Sequence, residues 1–257
     1  MNWSEVGILL LSGITAGVMN GIVGGGTFLV FPVLIFLGLP PIAANASATV
    51  GTFPGTLATI AAYRQELRVQ RGQLMYFFWV SLIGGAAGAL ALLVISNATF
   101  SKLIPFLLLF STLIFTFRSS LVTWLHRTRH TARENRFFAL LMQGALWMIS
   151  IYGGFFGAGM GIMMMALLGL MGVENINEAS ALRAWVGLFA NAIAVLIFIV
   201  AGLIYWPQVL VLMGGLILGS YSAVRYFRQL PPAMGHRVVM VIAWSMTVYF
   251  FLKMILI

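Results

Sequence analysis

Two glycine clusters stand in otherwise apolar sequence and are the parts of the chain best placed to do chemistry. The first is Gly21-Ile22-Val23-Gly24-Gly25-Gly26-Thr27, and the second is Gly153-Gly154-Phe155-Phe156-Gly157-Ala158-Gly159-Met160-Gly161. Glycine brings no side-chain chemistry, but a cluster of it breaks a helix and frees backbone N–H groups. Freed N–H groups and the positive end of a helix dipole can together hold an anion. Broken backbone at membrane depth is tolerated only where it is buried in protein or lines a cavity. The competing reading is close helix packing by small residues, as at GxxxG interfaces. One cluster alone favours packing, whereas two clusters at corresponding positions favour a site.

Neutral hydrogen-bonding side chains accompany the glycines: Asn20, Thr27, Asn45, Ser47, Thr49, Thr52 and Thr56 in the first half, Ser150, Ser180 and Asn191 in the second. Hydroxyl and amide donors suit an oxyanion, although Ser and Thr in a membrane helix more often bond their own backbone. The expected cradle is the backbone around Gly24, Gly25, Gly26 and Thr27 together with that around Gly157, Ala158, Gly159 and Met160. Asn45, Ser47, Thr49 and Ser180 are the expected side-chain donors. Arg183, near a helix start, is a gate or counter-charge on one reading and an interface anchor on the other, the anchor being the commoner role.

The absences narrow the chemistry further. The chain has no Asp, and its five Glu (Glu5, Glu66, Glu134, Glu174, Glu178) fall at segment ends or in loops. A buried carboxylate relay is therefore not expected, and an anionic cargo fits better than a cationic one. Cys is absent and His126, His130 and His236 lie in basic loops, so neither a metal site nor a cofactor is expected. An aspartyl protease of the GxGD type needs Asp, and a Ser–His dyad needs a His at membrane depth, so an enzyme is not expected either. The run Met163-Met164-Met165 reads as packing rather than soft-metal handling.

These residues must be positioned by membrane helices. The chain is 61% hydrophobic and 7% charged, with a mean hydropathy of +1.05, whereas a soluble domain carries about a quarter charged residues. The fold class that follows is an all-α integral membrane protein of about eight transmembrane helices, at about 20 residues each. Apolar runs cover roughly Val6–Met19, Phe28–Leu39, Ile42–Tyr63, Leu74–Ile95 and Leu103–Phe117. They resume at Phe137–Tyr152, Ile162–Met171, Ala181–Leu203, Val209–Tyr221 and Val238–Ile257. In each half the first two runs read as too short to span and are separated by glycines, giving a glycine-broken hairpin. The net charge of +9 comes largely from twelve Arg in short stretches between runs, which reads as membrane topology rather than nucleic-acid binding. The first run lacks the positive n-region of a cleavable signal peptide and is expected to stay in the mature protein.

A constant offset of 133 lays Gly21, Gly24 and Gly26 onto Gly154, Gly157 and Gly159, and Ala46-Ser47-Ala48 onto Ala179-Ser180-Ala181. The chain accordingly divides into a first transmembrane repeat, 1–117, a basic linker, 118–136, and a second repeat, 137–257. Each half crosses an odd number of times, so the second is inverted. With the linker cytoplasmic, Arg64, Arg68, Arg71, Arg183, Arg225, Arg228 and Arg237 fall inside and only Lys102 and Lys253 outside. Both termini are predicted outside.

The two motifs resemble the TauE/SafE sulfite exporter family, also called the TSUP family, over essentially the whole chain. The first carries it through Gly21 to Thr27, then Pro32, Gly38, Pro40 and Asn45-Ala46-Ser47-Ala48-Thr49. The second carries it through Gly153 to Gly159 and Gly172, with Gly202, Trp206 and Pro207 resembling a turn of the family. Met160 departs by standing where a further glycine is frequent, and Leu182-Arg183 where a Thr and another small polar residue are common. The resemblance implies two inverted four-helix repeats around a central site, and transport of sulfite, organosulfonates or other small organic anions. The expected function is a secondary transporter of a small anion in the cytoplasmic membrane, working by alternating access between the two broken helices, with protons open as a coupling partner. A passive anion channel and a non-transporting scaffold are the alternatives.

Overall fold

The computed structural model describes residues 1–22, 25–69, 71–132, 136–173, 175–222 and 232–256. Within them the chain is helical throughout: α1 (Trp3–Ile22), α2 (Thr27–Phe36), α3 (Pro41–Ala62), α4 (Arg64–Val69), α5 (Arg71–Val94), α6 (Asn97–Ala132), α7 (Arg136–Phe155), α8 (Met160–Met171), α9 (Ile176–Val200), α10 (Trp206–Ser222) and α11 (Pro232–Leu256). By length and composition, four of these contain stretches fit to cross a membrane: Gly72–Val94, Asn97–Ile114, Phe137–Phe155 and Asn177–Val200. α2 and α8 are shorter apolar helices. Large apolar side chains such as Leu11, Val94 and Val200 point outward, as a lipid-facing surface requires. The chain is an all-helical membrane protein.

The ends of the short helices have local causes. α2 stops at Gly38, whose φ of +86° places it in the left-handed region, and Leu39 N then donates back to Leu34 O. α8 stops in the same way at Gly172, φ +98°, with Val173 N donating to Leu168 O. Glycine occupies that conformation without the Cβ penalty. Pro41 then opens α3 at its first helical position, where a missing N–H costs nothing. Asn175 opens α9 by accepting from Asn177 N and Glu178 N.

Three features differ from the reading of the apolar runs. α1 and α7 are 20 residues each, so only the second arm of each hairpin is short. α1 gains its length by starting at Trp3, with Glu5 in the favourable first turn, and by running on past Met19 to Ile22. α6 continues to Ala132, into the basic stretch that follows the fifth run. The loop expected around Arg64 and Arg68 holds the short helix α4.

The helices repeat across the chain. The bounds of α1, displaced by 133, are those of α7, and the first residue of α2, Thr27, becomes the first residue of α8, Met160. The packing repeats as well, and the most extensive pairings cross between halves: α1 lies on α10 as α7 lies on α5, and α3 on α10 as α9 on α5, while α2 meets α11 as α8 meets α6. α3 meets α9 and α6 meets α11 at the centre of this arrangement.

Small residues set the closest crossings. A Cβ on Gly17 would lie 2.4 Å from Leu216 O, and one on Gly219 would lie 2.0 Å from Ile14 O. Gly13 and Gly17 on α1 thus face Gly215 and Gly219 on α10, a four-residue spacing on both sides. On α5 the same spacing recurs, with Gly84 against Ser150 and Ile151 of α7, Gly88 against Ile151 and Phe155, and Gly154 of α7 against Gly85. Between these pairs, Phe31 of α2 stands edge-on to Phe156 at 5.3 Å and Phe100 at 6.4 Å, and is stacked on Phe250 at 6.1 Å. Burial of these rings anchors the short helix whose start forms part of the site.

Candidate functional site

The two helix breaks are held open by different devices. After α7 the chain turns through Gly157, φ +74°, and Gly159, φ +83°, left-handed positions that side chains rarely adopt. Phe156 N and Gly157 N both donate to Tyr152 O, at 2.8 and 3.2 Å. The Tyr152 hydroxyl lies 2.8 Å from Ala158 O and 3.3 Å from Leu107 O on α6. It has one proton to give, and the shorter distance identifies Ala158 as the main acceptor. Asn45 of α3 completes the brace, its Nδ2 donating to Phe155 O at 2.9 Å. Between α1 and α2, Gly26 N donates to Asn20 Oδ1 at 3.1 Å. A Cβ on Gly26 would lie 2.4 Å from Ala16 O, so glycine is required for that approach.

Both breaks open onto one cleft of about 80 Å³. By this measure a single water needs about 10–15 Å³, so the cleft has room for several waters or one small solute. Its walls come from both halves: Asn20, Thr27, Thr52, Thr56 and Thr59 from α1 to α3, and Gly157, Met160, Gly161, Met164, Arg183, Ala184, Gly187 and Asn191 from α8, α9 and the turn before α8. Thr27 and Met160 are the first residues of α2 and α8, so both short helices present their N-termini to the cleft. Two positive dipole ends converge there with Arg183, a residue only 8% exposed. No carboxylate is among the described lining residues.

The hydrogen bonds divide the lining hydroxyls. Thr52 and Thr59 spend their protons on Ala48 O and Gly55 O of their own helix, each at 2.9 Å. Thr27 and Thr56 have no hydrogen-bond partner among the described residues, so their protons are available to a solute. Asn20 has its Oδ1 occupied by Gly26 N, which leaves the Nδ2 donors as its free end.

The residues expected to form the site separate accordingly. Thr27, Gly157, Met160 and Arg183 line the cleft. Gly24 lies outside the described residues. Gly25 packs against α11, where a Cβ would meet Val239 Cγ1 at 2.8 Å, and Gly159 packs against Ser111 and Phe28. Ala158 accepts from Tyr152, Asn45 braces Phe155, and Ser47 Oγ accepts from Tyr205 N at 3.1 Å. Thr49 donates to Asn45 O within its own helix. Ser180, half-buried on α9, is not part of the lining. Asn20, Thr52, Thr56 and Asn191 had stood out only as polar residues at membrane depth. Thr59, Gly161, Met164, Ala184 and Gly187 carried no separate signal, though Thr52, Thr56 and Thr59 fall at helical spacing on one face of α3.

Comparison with known proteins agrees with this architecture. The sequence profile described as Sulfite exporter TauE/SafE matches residues 9–250. A probable membrane transporter protein of Haemophilus influenzae is 30% identical over 214 residues, 83% of this chain and 81% of its own length. The probable membrane transporter protein YfcA of Escherichia coli is 24% identical over 221 residues, 86% of this chain and 80% of its own. The probable membrane transporter protein ORF9 of a Sinorhizobium species is 23% identical over 218 residues, 85% of this chain and 81% of its own. No solved structure matches.

Proposed function

The chain belongs to the TauE/SafE sulfite exporter family of membrane transporters, and from that premise we propose that it is a secondary carrier of a small anion, sulfite or an organosulfonate, in the cytoplasmic membrane. The observation that carries this reading is the cleft itself. Two half-helix N-termini, a buried Arg183 and the free donors of Asn20, Thr27 and Thr56 meet there, with no carboxylate among the described lining residues. Each element favours negative charge, and the enclosed setting strengthens each of them relative to water. Three oxygens on one sulfur would find N–H and O–H groups from both halves.

The placement of the site between the two halves, with α3 and α9 on either side, supports alternating access. These helices belong to the two repeats, 1–117 and 137–257, whose inverted relation makes an outward-open and an inward-open state alternatives of one design. Rocking about the α3–α9 seam would expose the same donors to either side. The basic 118–136 segment lies on the cytoplasmic side and both termini outside.

The test is saturable uptake of sulfite and methanesulfonate into proteoliposomes, with and without a pH gradient. Because the chain has no Cys, Thr56→Cys gives a single thiol in the cleft; under alternating access it reacts with impermeant thiol reagents from both sides, and substrate protects it. Uptake that never saturates would mean a channel. A folded protein that moves none of these anions would overturn the reading.

A further inference from the structure

Several glycines inside the long helices are there because another backbone presses on them. A Cβ on Gly13, Gly17, Gly85, Gly88, Gly215 or Gly219 would come within 2.7 Å of a backbone atom of a neighbouring helix. Gly144 and Gly214 have nothing within 4 Å, and both lie on the exposed surface. Gly187 fits neither case. It stands near the middle of α9, has nothing within 4 Å of a built Cβ, and is half-buried among the residues that line the cleft. Glycine in a helix interior costs stability relative to alanine, and here no neighbouring atom accounts for it.

Helix geometry gives the direction of the missing side chain. Successive residues turn by about 100°, so Arg183, Gly187, Asn191 and Ala184 point at about 0°, 40°, 80° and 100° round α9. All four line the cleft. The Gly187 direction therefore falls inside the arc that faces it, and a Cβ there would enter the cleft. Arg183 and Asn191 stand one turn before and one turn after, each about 6 Å along the axis. Between these two polar side chains one turn of α9 is bare. Its amide groups are spent on the helix, so the gap offers room and no donor.

Room without donors suits the part of a solute that carries no oxygen. We infer that Gly187 determines which organic anions the cleft admits: the gap receives the short alkyl tail of an organosulfonate whose oxygens face the donors, and its depth limits the length of that tail. The inference rests on the reading of the cleft as an anion site. A methyl group at position 187 would take the place of part of the tail, whereas sulfite has no tail to displace. One methylene more or less in a fitted pocket changes affinity about tenfold or more.

The experiment uses a series of graded length: sulfite, methanesulfonate, ethanesulfonate and propanesulfonate. Equilibrium binding to the purified full chain and competitive uptake into proteoliposomes are compared for the native protein, Gly187→Ala and Gly214→Ala, the last a control for stiffening a helix away from the cleft. Gly187→Ala meets no atom and favours the helix, so its thermal midpoint should equal or exceed that of the native protein. If it does not fold, Gly187→Ser adds bulk at the same place. The native protein should bind at least one sulfonate as tightly as sulfite. In Gly187→Ala the longest sulfonate so bound should weaken about tenfold more than sulfite does, and Gly214→Ala should leave the order of the series unchanged. Equal weakening of sulfite and the sulfonates, or no change in any of them, would overturn the role of Gly187 and leave the anion site standing. A native protein that binds sulfite and excludes every sulfonate would do the same. Failure of the native protein to bind or move any of the four would overturn the anion site and this inference with it.

Discussion

Asn45 Nδ2 donates to the carbonyl oxygen of Phe155 at 2.9 Å, joining two residues 110 positions apart. The bond ties the first turn of α3 to the point where α7 breaks, so one half of the chain holds the other's broken helix in shape. Asn45 is fully buried and does not line the cleft. Replacing it with Ala should cost about 1–3 kcal/mol of stability, the usual penalty for leaving a buried carbonyl without its donor. A denaturation midpoint measures this directly. Anion affinity of the remaining folded protein should change less than twofold; a tenfold loss of affinity at unchanged stability would instead place Asn45 against the substrate.

Neighbouring glycines on α10 should behave oppositely. Gly214 has nothing within 4 Å of a built Cβ, whereas Gly215 would meet Leu10 O at 2.5 Å and Gly219 would meet Ile14 O at 2.0 Å. The obstacles at Gly215 and Gly219 are backbone and cannot swing aside. Gly214→Ala should be neutral or stabilising, by up to about 1 kcal/mol from helix propensity. Gly215→Ala and Gly219→Ala should destabilise by about 1–3 kcal/mol or more, because α1 and α10 must separate. Thermal unfolding of the three purified variants would order them, and equal midpoints would show that the α1–α10 crossing is looser than described.

How much of this was legible in the sequence depends on whether the signal was local. The glycine breaks are local, and they led to Thr27, Gly157 and Met160 on the cleft, while Arg183 stood out by its charge near a helix start. The 133-residue offset was visible in the same glycines, and it predicts the coincidence of α1 with α7. What a linear reading lacks is height along a helix. Asn45 lies on nearly the same stripe of α3 as Thr52, Thr56 and Thr59, since seven residues make about two turns. It sits two turns nearer the helix start than Thr52, level with Phe155 rather than with the cleft. Ser47 was attractive for its hydroxyl, but that oxygen is occupied by Tyr205 N from 158 positions away, a partner no local pattern could supply. The Gly13/Gly17 and Gly215/Gly219 spacings were readable as packing motifs, but their pairing with each other was not.

Arg183 supplies the one cationic side chain among the described lining residues. If it faces a bound anion, Arg183→Gln should weaken binding by about 1.5–3 kcal/mol, roughly ten- to a hundredfold, as charge-assisted hydrogen bonds do. Arg183→Lys should recover part of this, because it restores the charge but not the planar fork of donors. Isothermal titration with methanesulfonate, alongside a denaturation curve for each variant, separates binding from folding. Equal affinity in all three proteins would make Arg183 an anchor with no part in recognition.

The pH dependence of uptake follows from which side chains reach the cleft. Among the described lining residues its titratable inventory is Arg183 alone, and arginine keeps its charge throughout the physiological range. A sulfonate is likewise ionised throughout, so methanesulfonate uptake without an imposed gradient should stay constant within about twofold between pH 5 and pH 8. Sulfite exchanges a proton near neutrality. If the carrier takes its singly charged form, sulfite uptake should rise as pH falls and the dianion disappears, and an inward proton gradient should drive accumulation without any protein group relaying the proton. Initial rates for both anions across that range decide the matter. Parallel curves for the two would require a titrating group on the protein, and the carboxylates and histidines beyond the cleft would become the place to look for it.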